Sequence, residues 1–116
     1  MAIRIIKEPI TKNELKEIAK EGFGNVVKAV VDVEQEIMAV GGELHADEEA
    51  LLAERENSKR ENTWGINFYT DKSSEEFIEF DSMVNIKPAF GNRSRNVENL
   101  AIQKKIKEIS NKLIRP

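Results

Sequence analysis

Ile102, Ile106, Ile109 and Leu113 recur at spacings of four, three and four residues, the period of one buried helix face. Lys104, Lys105, Lys107 and Lys112 fall off that face, and Asn96 or Asn99 can cap the helix. A shorter stripe, Leu15, Ile18 and Ala19, follows Thr11. Thr11 and Glu14 have the spacing of a capping box, and Ile10 and Leu15 that of a hydrophobic staple. Gly22-Phe23-Gly24 stops this helix. The period changes to two further on. Trp64, Ile66 and Phe68 alternate with Gly65, Asn67 and Tyr69; Ile78, Phe80, Ser82, Val84 and Ile86 alternate with Glu79, Asp81, Met83 and Asn85. Each set reads as a half-buried strand, the second ending at Pro88, and the polar turn between them makes a hairpin.

Residues 26–41 are less one-sided. Five valines crowd into 26–33, and β-branched side chains favour strands. Two strands, 26–33 and 36–41, turn at Glu34-Gln35 without the Asn-Gly signature of a tight hairpin; a single helix ending at Gly41 is the rival. Residues 3–6 make a first short strand. The segment from Ala46 to Glu56 suits a helix capped by Asp47, with Glu48 and Glu49 at its positive end. The order is β-α-β-β-α-β-β-α, a single α+β domain over 1–116. A two-layer arrangement follows, a mostly antiparallel sheet with the helices on one face.

Composition narrows the chemistry. The 116 residues contain no cysteine and one histidine, His45, which excludes disulfides, thiolate metal centres, a cysteine nucleophile and a zinc finger. The first twenty residues are broken by charges, so neither a signal peptide nor a membrane span is expected; a soluble cytoplasmic protein is. No Gly-rich phosphate loop or G-x-S-x-G elbow occurs. Residues 87–116 carry eight bases against Glu98 and Glu108, a charge of +6 within a total of −3. Such a split lets copies attract one another or steers an anion to one end. Nucleic-acid binding would rest on those bases alone, against an acidic remainder, and is disfavoured.

Two stretches could carry chemistry. If residues 43–47 are extended, Glu43, His45 and Asp47 share one side and could hold manganese, magnesium or iron. The plainer reading makes Asp47 a helix cap. In residues 92–95, Asn92, Arg93, Ser94 and Arg95 could grip a phosphate or carboxylate near a helix start. The plainer reading pairs an arginine with Asp81 or with the acidic 43–56 segment, holding the loop down. The two stretches would form one site if they met at one end of the sheet. Asn67, Asp81 and Asn85, on the polar side of the hairpin, could line a groove or an interface.

The strings VVDVEQEIMAVGGELHADEEALL, WGINFY and EFDSMVNIKPAFGNRSR resemble a family of small single-domain prokaryotic proteins catalogued as a domain of unknown function. The resemblance implies a compact single-domain protein and brings no catalytic residue with it. The missing motifs and two-signed charge favour a homo-oligomeric binding module, a dimer without catalysis. The alternative is a metal-dependent hydrolase acting on a phosphate-containing or other anionic substrate.

Overall fold

The computed structural model describes residues 2–116. Its elements are β1 (Arg4–Ile6), β2 (Ile10–Thr11), α1 (Lys12–Glu21), β3 (Val26–Asp32), β4 (Ile37–Val40), α2 (His45–Glu56), β5 (Thr63–Tyr69), β6 (Ile78–Glu79), α3 (Leu100–Leu113) and β7 (Ile114–Arg115). Five strands pair antiparallel in the order β1-β4-β3-β5-β6, and β2 and β7 form a separate parallel pair. The α+β class and the mostly antiparallel sheet are those expected from the alternation.

Helix α1 begins where its local signals place it. Thr11 Oγ1 accepts from Glu14 N at 3.1 Å, and Glu14 Oε1 accepts from Thr11 N at 3.4 Å, so two otherwise unpaired N–H groups are satisfied reciprocally. Asn99, rather than Asn96, caps α3, with Oδ1 accepting from Ala101 N and Ile102 N.

The valine run forms strands, not the rival helix, and Asp32 makes its turn. The carboxylate of Asp32, buried, accepts from Glu34 N, Gln35 N, Gln35 Nε2 and Ser58 Oγ. Glu36 takes the left-handed conformation, φ 58°. A side-chain acceptor thus supplies what Asn-Gly supplies elsewhere.

Three expectations need correction. Helices cover both faces of the sheet, not one. Val27, Ala29, Val31, Met38, Val40, Trp64, Ile66 and Phe68 pack with Leu15, Ala19, Ile106, Ile109 and Leu113 of α1 and α3. On the other face Val30, Ile37 and Ala39 pack with Leu52 of α2. Strand β4 is apolar on both sides and β3 adds Val30 to the second face, so that face needs a cover as well.

The long strand expected to end at Pro88 stops after Glu79. From Met83 the chain makes two short 3-10 turns, 83–85 and 88–90. Asn85, fully buried, replaces the missing strand: its Oδ1 accepts from Gly65 N at 2.8 Å and its Nδ2 donates to Gly65 O at 2.9 Å. The amide side chain thus makes both bonds that a paired strand would give. Gly65 permits this approach, since a Cβ there would lie 2.5 Å from Ser82 Cβ and Oγ.

Finally, Asp47 is not the cap of α2. The helix starts at His45, and its N-cap is Leu44, which offers no side-chain hydrogen bond. Among the described residues no helix is long and apolar enough to cross a membrane.

Candidate functional site

Helix α2 and the 82–86 segment each cover part of the same sheet face. Between them a cleft of about 230 Å³ stays open, lined by Lys28, Leu44, His45, Ala46, Asn67, Asp81, Ser82, Met83, Val84 and Arg95. Its floor is a cross-strand pair, Lys28 of β3 opposite Asn67 of β5. One wall is the amino end of α2, and the other is the 81–84 segment. Leu44 and Met83 remain 55% and 64% exposed at the cleft.

His45 and Arg95, one from each candidate stretch, line this single cleft. The remaining residues of those stretches do other things. Residues 43–47 are not extended, because α2 begins at His45. His45 and Asp47 are then two residues apart on a helix and do not share a face. The premise that put Glu43, His45 and Asp47 on one side therefore fails. Among the described residues no three His, Asp or Glu side chains cluster so as to hold a metal ion.

In residues 92–95 the anion is supplied by the chain itself. Glu98 Oε2 accepts from Arg93 N at 2.9 Å, Ser94 N at 2.8 Å and Ser94 Oγ at 2.7 Å. These bonds, that of the Ser94 hydroxyl foremost, hold the Glu98 carboxyl below its ordinary pKa. Asn92 is buried and structural: Nδ2 donates to Asn85 O, Ser94 O and Asn96 O, and Oδ1 accepts from Glu98 N. The plainer reading of the arginines holds for Arg95, whose Nε donates to Asp81 Oδ1 at 2.6 Å. Both side chains are about half exposed, so the pair positions Arg95 more than it stabilises the fold.

His45 Nε2 lies 2.8 Å from Ile66 O. A carbonyl only accepts, so Nε2 carries the hydrogen and Nδ1 of the neutral ring is left with a lone pair. Burial pushes the His45 pKa down, and the nearby Lys28 ammonium adds to this, against the opposing pull of the Ile66 carbonyl, Asn67 and Asp81. The ring is therefore mostly neutral at pH 7. Asn67 is 8% exposed; Nδ2 donates to Glu79 Oε1 at 2.9 Å and Asp81 O at 3.1 Å, while Oδ1 has no partner among the described residues.

A buried acid supports the amino end of α2. Glu48 is fully buried, and its Oε2 accepts from Gly42 N at 2.9 Å. A Cβ at residue 42 would lie 3.0 Å from Glu48 Cγ, so the second glycine of the Gly41-Gly42 pair makes room for this side chain. Burial drives the Glu48 pKa up to about 9, against the smaller opposing effects of the Gly42 N–H and Lys28. Glu48 is a neutral carboxylic acid at pH 7.

Lys28, Leu44, Ala46, Ser82, Met83 and Val84 also line the cleft, and no motif in the sequence marks them. One signal was available. Lys28 is the only charged residue between Val26 and Val31, and Asn67 the only polar side chain between Trp64 and Phe68. Polar residues inside buried strands need a partner or an opening.

With this geometry in place, comparison with known proteins decides the family. A match to DUF5674, described as a protein of unknown function, runs over residues 4–113. The chain belongs to DUF5674. Membership of this family attaches no reaction and no ligand to the cleft. Neither a curated protein nor a solved structure matches the chain.

Proposed function

We propose that the protein is a non-catalytic binding module, and that the cleft at the amino end of α2 is its recognition site. One observation carries this reading. Exposed apolar side chains, Leu44 and Met83, meet two cationic groups, Lys28 and the Asp81-held Arg95, around a concave space. That combination of apolar walls and a few convergent polar groups is what small-ligand sites use. Catalysis is not supported by the polar groups present. Ser82 is buried with its Oγ accepting from Val84 N, and the hydrogen-bonding nitrogen of His45 is held by Ile66 O, so no nucleophile–base pair is assembled.

Fragment titration followed by backbone-amide NMR tests the reading. Small charged fragments with an apolar portion are expected to move the Leu44, His45, Asn67 and Met83 signals together. Arg95→Gln should weaken that binding with no loss of folding. A fragment set that leaves these signals in place removes the proposal.

Self-association is the second part of the same proposal. The basic 87–116 third and the acidic remainder let two copies attract one another, and Phe90 and Leu100, 49% and 75% exposed outside the cleft, are free to enter such a contact. The hairpin is a poor pairing surface, because β5 is buried for most of its length and β6 has two residues. Sedimentation equilibrium is expected to give a dimer that Leu100→Lys shifts toward monomer. A wild-type monomer at all concentrations would remove this part.

A further inference from the structure

We infer that the cleft takes an α-substituted carboxylic acid with an apolar side chain: a carboxylate beside an N–H or O–H donor, as in a free amino acid, a hydroxy acid or the last residue of a peptide. This rests on the cleft being the binding site and adds what enters it.

The charge balance calls for an anion. Lys28 and Arg95 line the cleft, against the single carboxylate of Asp81. Asp81 already engages Arg95 Nε, and the two Nη groups of Arg95 make no hydrogen bond among the described residues. Leu44 leaves α2 without a side-chain cap, so the main-chain N–H groups of His45 and Ala46 stay available at a positive helix end. Guanidinium and helix N–H groups suit a planar carboxylate.

A carboxylate alone would leave the floor unsatisfied. Asn67 lines the cleft and is buried, and its Oδ1 is an acceptor without a donor among the described residues. Its orientation is fixed, because Nδ2 donates to Glu79 Oε1 and Asp81 O; a flipped amide would set oxygen against oxygen. His45 Nδ1 is a second free acceptor, since Nε2–H is held by Ile66 O. A buried acceptor without a partner is costly, and a donor carried by the ligand would relieve it. The ligand therefore needs an N–H or O–H close to its carboxylate.

The walls give the remaining part. Leu44, Ala46, Met83 and Val84 offer an apolar surface for a side chain, with methionine able to adjust to its shape. The space of about 230 Å³ lies below the roughly 300–1,000 Å³ of drug-sized sites. It suits one amino-acid-sized group.

Four probes differing by one feature test this on the full chain, by calorimetry together with amide NMR. They are leucine, N-acetyl-leucine, leucinamide and isocaproate. Leucine or N-acetyl-leucine should bind at the cleft. Leucinamide, without the carboxylate, and isocaproate, without the donor, should each bind at least about tenfold more weakly. Arg95→Gln should reduce binding of the carboxylates and leave that of leucinamide unchanged. Preference for leucine identifies a free amino acid, and preference for N-acetyl-leucine a peptide end. Equal binding of all four overturns the inference. So does failure of all four while fragments of other chemistry still move the cleft signals, an outcome that leaves the cleft standing as a binding site. No fragment of any kind at the cleft overturns both readings.

Discussion

Asn85→Ala is expected to lower the stability of the protein by roughly 3–5 kcal/mol, from the buried polar groups it leaves unpaired. The Asn85 side chain bonds to both Gly65 N and Gly65 O, and its Nδ2 also donates to Arg95 O at 2.9 Å. Truncation strips the outer edge of β5 of its partner where β6 has already ended. Asn85→Asp should do no better, because a carboxylate accepts from Gly65 N but cannot donate to either carbonyl. Urea denaturation measures the loss as a lower midpoint at unchanged slope. The cleft should suffer as well, since Ser82 and Val84 lie against Gly65 only while Asn85 holds the segment down. Loss of stability below about 1 kcal/mol would show that Asn85 is not the substitute strand described.

Glu48→Gln is expected to stabilise the protein progressively as pH rises. The folded-state pKa of Glu48, about 9, lies above its ordinary value of 4.5. Between those two values the unfolded chain releases this proton and the folded chain keeps it. Wild-type stability therefore falls with rising pH across that window, by up to about 1.4 kcal/mol per pH unit for one proton. Glutamine keeps the acceptor for Gly42 N and does not titrate. Its amide leaves buried N–H groups unpaired, which offsets about 1–3 kcal/mol of the gain. The variant should therefore be equal to or weaker than wild type near pH 5 and stronger by about 2 kcal/mol or more at pH 8. Denaturation curves of both proteins across that range check this. Parallel pH profiles would mean that Glu48 is ionised in the folded protein, with Lys28 or Asp47 rearranged around it.

Local signals were legible where the partner of each group sits within a few residues. Thr11 and Glu14 cap α1 as a sequence pair, and Asn99 caps α3. The stripe Ile106, Ile109 and Leu113 is buried as its spacing requires. The alternation through Trp64, Ile66 and Phe68 puts all three on one face. The opening at Lys28 and Asn67 was marked by polar residues inside strands, although their pairing across β3 and β5 was not.

What depended on distant residues was not legible. The alternation from Ile78 to Ile86 looks like a strand, yet a side-chain amide twenty residues from Gly65 takes the hydrogen bonds that such a strand would make. Asp47 has the chemistry of a cap, but the burial of Glu48 against Gly42 sets where α2 starts. The arginines of 92–95 look alike in sequence. Glu98 occupies the main-chain N–H groups of one turn, and Asp81 turns Arg95 toward the cleft. The sequence by itself determined the three helices, the α+β class and two helix caps, because propensity, period and capping act over one or two turns of chain. Only the tertiary structure decided which face α2 covers, which polar groups are left without partners and where the cleft opens, because burial and hydrogen-bond competition are settled between residues that meet only in the folded chain.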